Sequence, residues 1–462
     1  MQVNVAKTIG IPLWPAAVAD VRKVICDAAP AWKDLPLKAA GVYLGCVIGP
    51  GKHGDEWRRA AARFADRIRL WQWSSLGLYF ATVIYNVFAF SVLTFTAQVA
   101  RVPDEMIKLE AWALRRAAPG PGGWCTPQDL WHLQQCYGMP QSFASLDLAA
   151  KAAKLRLTVA DSMQHGGLRM SALTARIGAA GRSIDSAFKI VWWGRWHTAS
   201  IPVILQANRD ELRRQGIDGA AILKELTATA MGTVKAAVVD DGQFRAAAEQ
   251  AKERARRRLQ HVIGLRLRGL EGYCPHFRIR AKFERWKLEG VPHKLAARFE
   301  HRLPRLGRLV PPRVVAAVFS TAWNRWCTAR RFQRRGDPIN VCQLGCGGEA
   351  EDSIEHYCRC RTLRACHQAE LGLQEPRLLT HWLCVQDSQG QDAVLVRGAL
   401  GAYAAYCATN AARHMGGMSR DEAMRAFRQA LSEVLSGGSA ASRILGGSRG
   451  TASRAVKRLR LA

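Results

Sequence analysis

Within the run INVCQLGCGGEAEDSIEHYCRC, Cys342, Cys346, His356 and Cys360 are separated by three, nine and three residues. Nineteen residues are too few to bury a core, so this stretch must be closed by something other than packing. Three thiolates and an imidazole can close a tetrahedral Zn²⁺ shell. Gly345, Gly347 and Gly348 let the chain turn tightly between the ligands. On that reading metal binding supplies most of the folding energy of the segment. The competing reading is a set of ordinary buried thiols, against which the clustering with turn residues argues. Cys358, Cys366 and His367 lie close by, so the fourth ligand stays open, with Cys358 the main rival to Cys360.

Charge is the next constraint. The 462 residues carry 67 Lys and Arg against 37 Asp and Glu, a net charge of +30. For a soluble chain the polyanion that matches such an excess is nucleic acid, although a solvated surface or an anionic membrane face also accommodates it. A hydrophobic content of 48% excludes wholesale disorder, and the length allows about two to four domains. Thirteen cysteines, an odd number spread over the whole length, favour a reducing compartment, nuclear or cytoplasmic. No secretory leader is recognisable at the start.

The excess is concentrated. Residues 251–336 hold 23 Lys and Arg against 5 Asp and Glu, with Phe277, Phe283, Trp286, Phe299, Trp323, Trp326 and Phe332 interleaved. Cations neutralise phosphates and flat rings stack on unpaired bases, so the mixture suits RNA or single-stranded or nicked DNA. Arg256, Arg257, Arg258, Arg330, Arg331, Arg334 and Arg335 are the candidate phosphate contacts. The plainer expectation is a set of amphipathic helices whose aromatics are mostly core. Both can hold together. No small-molecule substrate is implied.

The fold class expected is mainly α. Residues 1–50 read as a small α/β piece, with a helix from Pro15 to Ala28 between two apolar, β-branched runs. From Glu56 to Trp73, Trp57, Ala61, Phe64, Ile68 and Trp71 share one helical face with arginines opposite. Ser74 to Ala100 holds no charged residue and is long enough to cross a bilayer. Asn86 and Gln98 interrupt it, so it reads as a buried helix, or two helices broken near Asn86 to Ser91, ahead of a span. Asp104 opens a helix to Ala117, and residues 129–240 look mostly helical, with an aromatic island at 192–197. Residues 392–435 give two amphipathic helices, the second opened by Ser419 and Glu422 as a capping box. The tail from Ser436 is small, polar and basic, and is expected to be disordered.

In order, these pieces resemble the C-terminal part of a non-LTR (LINE-type) retrotransposon reverse transcriptase. The matching residues are Asn4, Lys7 and Thr8, then Tyr43-Leu44-Gly45, Trp57 and Trp71, the YNVFAFSVLTFTAQ helix and the GPGGWCTPQDLWHL loop. ARRFQ at 329–333 leads into the knuckle with its DSIEHY stretch. The resemblance covers most of residues 1–370. It implies the end of a palm over 1–50, with Tyr43, Leu44 and Gly45 at a primer grip, and a helical thumb over 51–160. A helical connector over 161–250 and a basic nucleic-acid-binding region over 251–336 follow. Then come the CCHC zinc knuckle over 337–370, a helical region over 371–435 and a basic tail over 436–462.

The family polymerises DNA on RNA with two metal ions clamped by palm carboxylates, and both carboxylate motifs lie upstream of where this chain begins. Asp240-Asp241 lacks the preceding aromatic and reads as a helix-ending turn. No catalytic residue is therefore assigned, and Mg²⁺ is expected only if a catalytic palm is supplied in trans. IGPGKHG at 48–54 lacks phosphate-loop spacing, and no nuclease pattern follows the knuckle. The expectation is a zinc-dependent nucleic-acid-binding protein that does not synthesise DNA. The alternatives are an independent zinc-knuckle regulatory protein and a membrane protein spanning at 74–100.

Overall fold

Apolar residues recur here at three- and four-residue intervals over long stretches, and helix follows from that period. The computed structural model describes residues 8–11, 17–43, 46–48, 56–164, 201–237, 241–332, 341–347, 350–373, 378–387, 391–436 and 440–447. The helices in chain order begin with α1 (Val18–Ala28), α2 (Arg58–Leu70), α3 (Trp73–Ile84), α4 (Thr94–Val99), α5 (Asp104–Ala117), α6 (Pro127–Trp131) and α7 (Leu133–Tyr137). Next come α8 (Leu146–Gln164), α9 (Ile201–Arg214), α10 (Gly219–Ala237), α11 (Asp241–Leu270), α12 (His276–Arg285), α13 (Pro292–Leu306) and α14 (Pro312–Ala322). The last are α15 (Ala329–Phe332), α16 (Ile354–Tyr357), α17 (Arg361–Leu371), α18 (Leu379–Trp382), α19 (Asp392–His414), α20 (Arg420–Leu435) and α21 (Ala440–Gly447).

The strands β1 (Gly41–Tyr43) and β2 (Cys46–Ile48) pair antiparallel, Gly41 opposite Ile48 and Tyr43 opposite Cys46. Gly10 forms a parallel bridge to Leu37. The protein is therefore mainly α, as its sequence pattern requires. The chain divides into two units. One comprises Met1–Trp71, Asn86–Ala113 and Ala144–Gly272, and the other Gln72–Tyr85, Leu114–Phe143 and Tyr273–Ala462.

In the first unit, α2 buries Phe64 and Ile68 and turns Arg59, Arg63 and Arg69 outward, with Trp57 buried just before it. Ala61 and Trp71, expected on the same face, are half-buried. The Trp57 indole N–H donates to the Arg101 carbonyl at 2.6 Å. Four helices then share one core. Leu148, Leu155 and Val159 of α8 and Leu212 of α9 meet Ile222 and Leu223 of α10 and Leu259, Ile263 and Leu267 of α11. Ala251, Ala255, Leu259, Ile263 and Leu267 recur every four residues, which fixes the buried stripe of α11. Arg254, Arg256, Arg257, Arg258 and Arg266 are left to solvent, and Arg268 is half-buried.

The uncharged run is not one regular helix. Gly77 has φ +66 inside α3, Tyr85–Ala89 form a π-helical turn, and Phe90–Val92 a 3₁₀ turn before α4. The break therefore falls where Asn86 interrupts the apolar pattern, and Asn86 Oδ1 accepts the Ala144 N–H at 2.8 Å. Among the described residues, Trp73–Val92 is the one helix long and apolar enough to cross a membrane, with 33% of it buried in the protein.

In the second unit, α19 is enclosed. Leu395, Val396, Ala399, Leu400, Ala402, Ala405, Ala408 and Ala412 are all buried, and a helix apolar on nearly every side belongs at a core's centre. Around it pack α14, α17, α18 and α20. Trp326 is fully buried and stacks on Trp382 at 5.3 Å between ring centroids. Of the interleaved aromatics, Phe283, Phe299, Trp323 and Trp326 are core and Trp286 is half-buried, whereas Phe277 and Phe332 are exposed. Ser419 and Glu422 form the expected capping box at the start of α20. The tail differs from expectation in its first turns. Residues 440–447 are helical, because Ala441 and Leu445, four residues apart, bury one side of α21.

Candidate metal centre

Two short segments and one helix start bring the four candidate ligands together. Cys342 follows an antiparallel bridge between Val341 and Glu351, and its N–H donates to the Ala350 carbonyl at 2.9 Å. Cys346 lies between Gly345 and Gly347, whose φ values of +56 and +72 are left-handed and disfavoured for any residue with a Cβ. His356 sits on the single turn α16, which Ser353 caps by accepting the His356 N–H at 3.2 Å. Cys360 is the N-cap residue of α17.

One ligand atom from each of Cys342, Cys346, His356 and Cys360 lies within 4.8 Å of all the others. Cys346 Sγ and His356 Nε2 are 3.6 Å apart. Ligands of one tetrahedral Zn²⁺, at about 2.0–2.3 Å from the metal, stand roughly 3.3–3.8 Å from one another. The set can hold a metal ion with little rearrangement. Soft thiolates and a borderline imidazole, with Cys342 and Cys360 buried, are a donor set compatible with zinc. The hydrogen bond from Cys342 holds the Cys360 thiol well below its ordinary range, helped by His356 and the Leu363 N–H. The same bond, together with burial, pushes Cys342 up. Cation binding at such a site deprotonates its thiols and so releases protons.

The neighbours that competed for the fourth position are occupied otherwise. Cys358 is buried outside the cluster, and burial holds its thiol above the ordinary range. His367 Nδ1 lies 2.7 Å from the Leu363 carbonyl, and its Nε2 accepts the Trp382 indole N–H at 2.9 Å. Burial drives its pKa down to about 4. It is a neutral core histidine. Burial likewise pushes the Cys366 thiol up to about 12.

The centre is also anchored by packing. The Gln343 carbonyl accepts the Met418 N–H at 2.9 Å. A Cβ on Gly345 would stand 2.7 Å from the Arg420 nitrogen, so the loop lies against the start of α20. Leu344, Ile354, Tyr357 and Leu363 are buried. Asp352 is 2% exposed. Its carboxylate accepts the Ala329 N–H at 2.7 Å and the Tyr357 hydroxyl, with Arg413 at 3.7 Å. Asp352, Tyr357 and Arg413 were not legible as supports, because their contacts join residues up to 61 apart in sequence.

The candidate phosphate contacts fall in two places. Arg256, Arg257 and Arg258 are exposed on α11, and Arg256 and Arg257 both pair with Glu253, at 3.7 and 3.1 Å. A cavity of about 360 Å³ between α10 and α11 has Arg254, Arg257 and Arg258 among its lining residues. Arg330 pairs with Glu351 at 3.5 Å and Glu355 at 3.6 Å, beside the metal-ligand loop. Arg331 donates to the Asn324 carbonyl. Arg334 and Arg335 lie outside the described residues, as do Leu44, Gly45, Asp240 and the island at 192–197. Tyr43 ends β1, and Asp241 opens α11.

A third cationic group does not stand out in the sequence. Arg278, Lys282 and Arg285 lie on one face of α12 at intervals of four and three, a spacing present in the sequence but submerged in the overall basic count. Compared with family models, with curated proteins and with solved structures, the chain matches none.

Proposed function

We propose that this chain is a zinc-dependent nucleic-acid-binding protein of the kind its sequence resembles, the thumb-to-knuckle part of a non-LTR reverse transcriptase. The observation that carries the reading is the convergence of Cys342, Cys346, His356 and Cys360 to within 4.8 Å, directly behind the most basic part of the chain. Zn²⁺ held there would be structural, with four protein ligands and no open position for a reacting group. Its binding would stiffen the segment carrying Glu351 and Glu355, with which Arg330 pairs, and leave the exposed arginines of α11 to neutralise phosphates. The 462 residues carry no aromatic-x-Asp-Asp turn, so DNA synthesis by them alone is not part of the proposal. Palm, thumb and connector boundaries and a nuclear or cytoplasmic location belong to the same reading.

The experiment is a titration of the purified chain with labelled RNA and single-stranded DNA, before and after removal of metal by a chelator. The reading expects about one zinc per chain, binding that weakens steeply with salt, and a loss of affinity on chelation that zinc restores. Absence of metal together with absence of binding sinks it. The helix Trp73–Val92 favours a second reading, a membrane-associated protein. Retention of the chain in membranes after high-salt washing would decide for it.

A further inference from the structure

Arg278, Lys282 and Arg285 share one face of α12, while Ile279 and Phe283 bury another. The Arg278 guanidinium carbon lies 4.9 Å, and Lys282 Nζ 5.1 Å, from the centre of the Trp323 ring. The fully buried indole thus holds both cations in place. Burial, and then Arg278, Arg331 and Arg285, push the Lys282 amine down to about 8. Asp129 is the carboxylate that opposes them. It is fully buried and already engaged, accepting from Tyr273, from Thr126 at 2.8 Å and from Arg278 at 2.7 Å to both oxygens. Lys282 thus feels the charge of three arginines, of which Asp129 pairs Arg278. Such an arrangement repels itself until an anion enters.

Two phenylalanines of the same basic stretch are exposed. Phe277 is 70% exposed and Phe332 is 62% exposed. They are the sequence neighbours of Arg278 and Arg331. Exposed rings within a cation-rich stretch are what a single strand uses, base on ring and phosphate on charge. A duplex keeps its base faces stacked inside and offers the rings nothing.

We propose that Arg278, Lys282, Arg285 and Arg331, with Phe277 and Phe332, form a subsite for single-stranded nucleic acid, the cations taking backbone phosphates and the rings stacking on unpaired bases. This rests on the nucleic-acid reading above and locates the strand within it.

The test uses the full zinc-loaded chain and a labelled 20-nucleotide uridine oligomer, with affinity measured across a salt series. The double variant Lys282→Gln with Arg285→Gln leaves Arg278 on Asp129, and Phe277→Ala removes only an exposed ring. Unchanged zinc content and melting temperature show that both variants fold. The double variant should flatten the slope of log affinity against log salt by about 1.4, at about 0.7 for each single-strand phosphate no longer neutralised. Phe277→Ala should weaken binding about tenfold with the slope unchanged. The Lys282 amine, followed by NMR after reductive methylation, should titrate at higher pH with the oligomer bound. If the wild type binds steeply and the double variant keeps its slope, the subsite is overturned while the nucleic-acid reading stands. If the wild type binds no oligomer, that reading has itself failed and the subsite with it. Loss of binding only to vesicles of anionic lipid would give these cations to a membrane surface and overturn the proposal.

Discussion

Cys346 Sγ stands 3.6 Å from His356 Nε2, about the separation of a sulfur and a nitrogen ligand on one tetrahedral zinc ion. The two residues are ten positions apart in sequence, and they are brought to this distance by two left-handed glycines and a one-turn helix.

The first prediction concerns ligand identity. Cys342→Ser with Cys346→Ser should reduce bound zinc from about one per chain to none, measured by mass spectrometry of the metal in purified protein. Cys358→Ala and His367→Gln should each retain it, because neither side chain is in the cluster. Metal lost with Cys358→Ala alone would make Cys358, not Cys360, the fourth ligand.

The second concerns the loop glycines. Gly345→Ala combines a φ of +56 with a methyl 2.7 Å from a backbone nitrogen of α20, whereas at Gly347, φ +72, nothing lies within 4 Å. Gly347→Ala should cost about 1 kcal/mol, the left-handed penalty alone. Gly345→Ala should cost clearly more, as read by denaturant unfolding of zinc-loaded protein. Equal costs would show that the loop does not rest on α20.

The third is a pH dependence in the other unit. Glu110 is 1% exposed and its Oε1 accepts the Leu146 N–H at 2.7 Å. Burial, against that hydrogen bond, raises its pKa to about 8 from the 4.5 of a free carboxyl. The folded state thus binds a proton that the unfolded state releases between those values. The contribution to stability is complete below about 4.5 and is lost as pH rises through 8. Glu110→Gln keeps an acceptor for Leu146 and removes the ionisation. It should gain on the order of 3 kcal/mol over the wild type at pH 9 and little at pH 4.5. A pH-independent difference would contradict the buried, protonated carboxyl.

The fourth concerns Asp352, whose buried carboxylate joins the Ala329 N–H, the Tyr357 hydroxyl and Arg413. Asp352→Asn should destabilise the second unit by about 3 kcal/mol, because a partly buried guanidinium loses its counter-charge. A melting temperature within 1 °C of wild type, on the scale of about 2–4 °C per kcal/mol for domains of this size, would show that the network is incidental.

What the sequence made legible was local. The Cys-Cys-His-Cys spacing, the Ser419 and Glu422 box, the helix from Asp104 to Ala117 and the interruption at Asn86 all depend on residues within a few turns of one another. What it hid was long-range. Arg278 meets Asp129 across 149 residues, and His367 is settled as a core residue by Trp382 and the depth of its burial. Its position beside three cysteines suggested otherwise. Periodicity likewise cannot say which of seven interleaved aromatics meet a core. Phe283 and Phe299 pack edge-to-face at 5.9 Å, whereas Phe277, on the same helix as Phe283, faces solvent. The α21 turn is hidden because its small residues bury only Ala441 and Leu445, too few to register as an amphipathic pattern.

The most direct measurement is X-ray absorption at the zinc edge on the purified full chain. The account predicts one zinc with a first shell of three sulfurs at about 2.3 Å and one nitrogen at about 2.0 Å. A first shell of oxygen and nitrogen only, or a chain that holds no zinc after purification in its presence, would contradict it.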